Sequence, residues 1–170
     1  MDALARQMSV YAAYHRNRWN RATHFIGVPA IVFAIFIPLH WVALGGGATL
    51  AHALAAAVLL YYVILDVAIG LATAAVVLAL LEAASVAGSS GTAAGWSWFA
   101  AFFVGGWIFQ LVGHVFEGRR PALVDNVLQV FVAPVFLVAE VFFMLGLKRA
   151  LRERMEGPAG ARAARAPGVN

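Results

Sequence analysis

The sequence predicts an all-α, polytopic transmembrane helical bundle of about five hydrophobic segments, preceded by an N-terminal interfacial helix. Three observations carry that expectation. The chain has 170 residues, 63% hydrophobic and 12% charged, with a mean hydropathy of +0.83, far more apolar than an ordinary soluble domain. Several windows of about 20 residues are almost free of charge, the length needed to cross about 30 Å of hydrocarbon. Glycine, proline or charge interrupts the apolar sequence between these windows. The chain also lacks cysteine. That excludes disulfides, thiolate metal sites and cysteine nucleophiles, and leaves histidine, carboxylate, tyrosine and hydroxyl side chains to carry any chemistry.

Residues 1–22 are polar and basic, yet Leu4, Met8, Tyr11 and Ala12 recur near helical spacing, which predicts a short amphipathic helix lying on the membrane. The first apolar stretch follows about 20 polar residues, a pattern that does not fit a removable signal peptide. Residues 23–44 form the first span, with kinks at Pro29 and Pro38 and with His40 and Trp41 near the far interface. Gly45, Gly46 and Gly47 end it. Residues 48–87 are apolar throughout, and as one helix they would run about 60 Å, twice the hydrocarbon thickness. They must fold back. The break falls at LDVAIG, where Asp66 and Gly70 divide the segment into spans at 48–66 and 69–87.

The stretch AGSSGTAAG reads as a loop, residues 96–116 as the fourth span, and EGRRPA as its end. The last apolar segment, 123–147, contains Pro134 and Glu140 and reads as either one kinked span or a re-entrant pair. A single membrane domain is expected over residues 1–150, with a basic, disordered tail over 151–170. Arginines before the first span and at Arg119 and Arg120 place both regions on the cytoplasmic side under the positive-inside rule. The basic tail belongs there too, which one further crossing would contradict, so either 123–147 is re-entrant or the rule fails for this chain. Eleven of the twelve basic residues are arginine, a bias that fits a GC-rich bacterial genome. The expected location is the bacterial inner membrane, or the endoplasmic reticulum in a eukaryote.

This topology brings polar groups to one depth. His15 and His24 stand at the start of the first span, Asp66 at the end of the second, and His114 with Glu117 at the end of the fourth. Asn17, Asn20, Arg21 and His24 share a helix face, as do Tyr62, Asp66 and Thr73, and likewise Trp107, Gln110, His114 and Glu117. Ionisable groups at membrane depth are costly unless they face the bundle interior with partners, which makes them functional candidates. Three histidines and a carboxylate suit iron(II) or zinc(II), and nearby Asn and Gln can hydrogen-bond the ring nitrogens. His15 and His24 are nine residues apart, on opposite faces of a straight helix, so shared ligation requires a bend, placed at NRWN. His114 and Glu117 need none.

Structural readings compete with each of these. Interfacial histidine, tryptophan and arginine commonly anchor a protein to headgroups, and for His40 and His52 at the opposite loop that reading wins. Asp66 fits a hydrogen bond with Tyr62 or a basic group as well as it fits ligation. Glu82 and Glu140 fit a bundle salt bridge or an interfacial position. Arg119 and Arg120 fit topology determinants, or a clamp for a carboxylate or phosphate headgroup.

The motif YHRNRWNRATHFIGVP, followed by GWIFQLVGHVFEGRRPALVDN, resembles the 2-hydroxy-palmitic acid dioxygenase-like family from Tyr11 to about Leu147. The resemblance implies an iron(II)-dependent dioxygenase that shortens 2-hydroxy fatty acids by one carbon, the α-oxidation step in phytosphingosine breakdown. The family's motif histidines match His15, His24 and His114. Joined to the donor chemistry, this implies those three and Glu117 as metal ligands, Asp66 or Glu117 as the base for the 2-hydroxyl proton, and Arg119, Arg120 and Tyr62 at the substrate. The implied cofactor is Fe(II), with Zn(II) as the alternative. The expected partners are a 2-hydroxy fatty acid, dioxygen and membrane lipids, with no nucleic acid and with room for a homo-oligomer. Two rivals remain: a zinc-dependent intramembrane hydrolase, and a small transporter or scaffold whose polar stripes only pack helices. Against the latter, the polar groups cluster at one face and do not line a path across the bilayer.

Overall fold

The computed structural model describes residues 3–118 and 127–163, and apart from one small hairpin its regular elements are helices. They fall into two compact units: Phe25–Gln110, and the chain up to His24 together with the chain from Leu111 onward.

In the Phe25–Gln110 unit, helix α2 (Arg18–His40) leads into strands β1 (Ala43–Gly45) and β2 (Ala48–Thr49), then α3 (Leu50–Leu65), α4 (Val67–Ser89) and α5 (Thr92–Glu117). The expected hairpin break is at Asp66, which adopts an extended conformation with φ −161° and ends α3. Its carboxylate then accepts a 3.1 Å hydrogen bond from Ile69 N, capping α4. A Cβ at Gly70 would lie 2.6 Å from Val63 Cα, so only glycine lets the two helices diverge this closely from their corner. Gly27 and Gly106 do the same where α2 meets α5, a Cβ on Gly27 reaching within 2.8 Å of Gly106 O. The expected loop over 87–95 is much shorter. Ser89 and Ser90 hydroxyls bond back to the Val86 and Ala87 carbonyls, Gly91 turns at φ 103°, and α5 has started by Thr92.

The other unit contains α1 (Ala3–Ala13), the first residues of α2, the end of α5, a 3₁₀ turn (Val127–Phe131), α6 (Ala133–Met144), α7 (Arg149–Glu156) and α8 (Pro158–Ala163). The expected N-terminal helix is present, but its apolar stripe of Leu4, Met8 and Tyr11 is buried within this unit and not turned toward lipid. It packs on α6, α7 and α8, and Ser9 Oγ donates to Ala5 O at 2.6 Å and Met155 O at 3.3 Å. Residues 151–163, expected within a disordered tail, are largely helical because Leu151 and Met155, one turn apart, are buried.

Helices α2–α6 overlap the expected hydrophobic segments, but they are unequal. Among the described residues, three helices, α2, α4 and α5, are long and apolar enough to cross a membrane. Helix α3 has 16 residues and α6 has 12, about 24 and 18 Å of helix and so short of the hydrocarbon thickness. Helix α6 with its 3₁₀ lead meets α7 at 115°, through Gly146 at φ 73° and Lys148 at φ 54°. The last apolar segment is thus a short bent piece in its described part. Ile64, Val86 and Val115 stay largely exposed, a surface suited to lipid contact.

Candidate metal centre

The site is built around a helix break. Helix α1 ends at Ala13, and backbone bonds from Tyr14 N to Tyr11 O and from His15 N to Ala12 O, both 3.1 Å, curl the chain out of it. Asn17 then starts α2: its Oδ1 accepts from Trp19 N at 2.8 Å and its carbonyl from Arg21 N at 3.1 Å. The bend expected at NRWN therefore sits slightly earlier, over 14–17. The end of α5 locks it. Glu117 carboxylate oxygens accept from Arg16 N at 3.0 Å, Asn17 N at 2.8 Å and Asn20 Nδ2 at 3.1 Å, and Asn17 Nδ2 donates to Phe116 O at 2.8 Å. Close approach of α5 to the start of α2 depends on Gly113, where a Cβ would fall 2.5 Å from Asn20 Oδ1 and nearer still to Thr23 Oγ1.

These constraints bring three imidazoles together. His15, His24 and His114 keep only 3%, 2% and 6% of their surface exposed, and one nitrogen from each lies within 4.8 Å of the others. His15 Nε2 is 3.0 Å from His24 Nε2. Each of these two rings has its other nitrogen on a carbonyl one turn back in its own segment: His15 Nδ1 on Tyr11 O at 2.7 Å, His24 Nδ1 on Asn20 O at 2.8 Å. The Tyr11 ring stacks on His15, centroids 4.0 Å apart and 6° from parallel.

The hydrogen bonds assign the tautomers. A carbonyl only accepts, so both Nδ1 atoms donate, and in the neutral rings both Nε2 atoms carry lone pairs. Two lone pairs facing each other at 3.0 Å repel unless a cation lies between or beside them. A proton is a poor candidate: burial first, then the neighbouring His24, holds the His15 imidazole down to about 3 from its ordinary 6.5, against the opposing pull of the Tyr11 carbonyl. A divalent metal ion fits. Neutral imidazoles are its ligands, 3.0 Å is a separation that two nitrogens bound at about 2.0–2.1 Å to one ion can span, and the carbonyl-anchored Nδ1–H groups supply the supporting shell such ligands require.

The remaining expected site residues stand elsewhere. Glu117 is beside the centre, but its oxygens face the N–H groups of the helix break, and it is outside the convergent donor group. Asp66 caps α4, Tyr62 is buried, and both belong to the other unit. Arg119 and Arg120 lie outside the described residues. His40 and His52 share Thr49, whose hydroxyl is 3.3 Å and 2.8 Å from their Nδ1 atoms, and His40 Nε2 meets Leu81 O at 3.1 Å. They cap and tie helices. Of the two readings open for Glu140, the salt bridge is the one that forms: it pairs with Arg21, Nη1 to Oε2 at 2.8 Å. The carbonyl anchors of Tyr11 and Asn20 were also missed, although each stands four residues before its histidine, a spacing that signals them.

A family model described as 2-hydroxy-palmitic acid dioxygenase Mpo1-like matches residues 1–145, a range that holds all three histidines and Glu117. The chain is similar to the 2-hydroxy-palmitic acid dioxygenase MPO1 of Saccharomyces cerevisiae, with 37% identity over 155 residues covering 90% of this chain and 87% of the yeast protein. No solved structure matches it.

Proposed function

Since the chain belongs to the 2-hydroxy-palmitic acid dioxygenase Mpo1-like family, we propose that it is a membrane-embedded dioxygenase that shortens 2-hydroxy fatty acids by one carbon, using iron(II). The observation that carries this reading is the convergence of His15, His24 and His114, with the Nε2 atoms of His15 and His24 facing each other at 3.0 Å. His15, His24 and His114 would hold the metal. Bound there, iron(II) supplies the coordination positions and the electron exchange that oxygen chemistry needs.

The chain's own residues do the rest by positioning. Tyr11 and Asn20 carbonyls fix the ring tautomers, so that His15 and His24 present lone pairs without first losing a proton. Burial of all three rings restricts water at the centre. Glu117 binds the helix break that orients His15 relative to His24, and so acts in this reading as a brace in place of a ligand or base. Overall, a 2-hydroxy acid and one dioxygen balance against the acid one carbon shorter, carbon dioxide and water, so no external reductant is required. The arginines at the start of the chain and of α2 support a cytoplasmic side for this centre under the positive-inside rule.

The test is to load purified protein with iron(II) without oxygen, add a 2-hydroxy fatty acid, admit air, and follow the products by mass spectrometry. An acid one carbon shorter, formed with oxygen consumption and abolished by chelation, is the expected result. Turnover that persists without iron, or that proceeds without oxygen on zinc-loaded protein, refutes it.

A further inference from the structure

Beside the three imidazoles, within the same unit, opens a cleft of about 360 Å³. Phe136, Phe143 and Met155 supply apolar wall. His15 lines the cleft, whereas His24 and His114 do not, so the cleft approaches the centre through one ligand. Cations also face it. Arg152 is matched by Glu156, Nε to Oε1 at 2.8 Å, but Arg21 and Arg16 are not used up. Arg21 touches Glu140 through Nη1 alone among the described residues, and a guanidinium has five N–H donors in a planar fork. Glu140 is 15% exposed and is the one charged group on an otherwise apolar α6. A carboxylate is costly there without a partner, and the pair in turn fixes where the Arg21 fork points. Arg16 engages Glu117 through its backbone N–H, and its exposed guanidinium has no partner among the described residues.

We propose that this cleft binds the carboxylate end of an amphiphilic acid, with Arg21, positioned by Glu140, and Arg16 as the anchors, and with Phe136, Phe143 and Met155 against the first carbons of the acyl chain. The inference rests on the proposed function in taking a 2-hydroxy acid as the substrate class, and it assigns the carboxylate to Arg21 and Arg16 where sequence reasoning named Arg119 and Arg120. An arginine fork meets a carboxylate with two parallel charge-assisted hydrogen bonds, which an ester cannot accept as strongly. Binding next to His15 sets carbons one and two of the acid beside the metal ligands.

The experiment measures displacement of a fluorescent fatty acid from iron-loaded protein, kept anaerobic, by 2-hydroxypalmitic acid and by its methyl ester. Arg21→Gln combined with Glu140→Gln leaves no unpaired charge and is expected to weaken the acid about tenfold or more while the ester and the iron content stay unchanged. Glu140→Gln alone should weaken the acid less. If the double variant fails to fold, Arg21→Lys, which keeps the ion pair but loses the fork, and the exposed Arg16→Gln should each show the acid-selective loss. Unchanged acid affinity in all of these, or loss confined to Arg119→Gln with Arg120→Gln, overturns the proposal. Acid binding that needs Arg21 in a protein forming no shortened product supports the cleft and refutes the proposed function. Product formation with wild-type KM in the double variant does the reverse.

Discussion

Glu117→Ala separates bracing from ligation. The substitution removes the acceptor of three N–H groups: that of Arg16, which is exposed and re-solvates, and those of Asn17 and the Asn20 side chain, which are partly buried. A hydrogen bond to a charged group contributes about 1.5–3 kcal/mol, and an unsatisfied buried donor costs a similar amount. Two partly buried donors at the low end of that range amount to a loss of about 3–4 kcal/mol. Part of it falls on the arrangement of His15 against His24, where loss of a supporting partner weakens metal binding about 10- to 100-fold. The assay is titration of the metal-free protein with cobalt(II), read by its visible ligand-field bands, alongside urea unfolding. The expected result is weaker binding and lower stability with band positions unchanged, because the same three nitrogens still bind the metal. Glu117→Gln should lie in between, since its amide keeps one acceptor oxygen. A shift of the cobalt bands in either variant, at undiminished stability, would show Glu117 bound to the metal and refute the bracing role.

Gly113→Ala forces a methyl group against Asn20 Oδ1 and Thr23 Oγ1 and should cost about 1–3 kcal/mol, read as a lower thermal midpoint together with weaker cobalt binding. His24→Ala and His114→Ala should each purify as folded protein with sharply reduced bound iron; a loss of folding yield with undiminished iron would favour a packing role instead. The metal-free protein should become less stable as pH falls from about 6.5 toward about 3. His15 titrates near 3 when folded against 6.5 when exposed, so across that window the unfolded chain binds the extra proton, and up to about 1.4 kcal/mol is lost per pH unit. Above pH 6.5 this contribution is complete and flat. Urea midpoints at pH 5 and 7, compared with those of His15→Asn, check the slope, which the variant should reduce.

Much of the fold follows from length and hydrophobicity, because a run of apolar residues twice the membrane thickness must turn and Asp66 is where it does. What Asp66 does there was less legible. An intramembrane carboxylate reads as chemistry, yet an aspartate three residues before a backbone N–H it can accept from is also a helix cap, and the cap is what forms. Glu117 illustrates the same ambiguity in the opposite direction. Its spacing from His114 puts it on the right face, but spacing does not say whether a carboxylate turns toward imidazoles or toward the N–H groups of a broken helix. At the C-terminal end, Gly, Pro, Ala and Arg suggested disorder, and the four-residue step from Leu151 to Met155 was the quieter signal that α1 could cover a helix there. The length of α6 lay beyond reach, since Pro134 and Glu140 are compatible with either a kink or a short bent piece.

The three imidazoles join segments far apart in the chain: His15 precedes the first long apolar helix, and His114 closes the last turn of α5. An ion shared by them would stitch the segment before the first long apolar helix to the end of the third, α5. A nascent chain that has not yet delivered α5 offers only two of the three donors. Loading of a site that needs all three would then wait for α5, and a half-inserted chain would hold no complete metal centre.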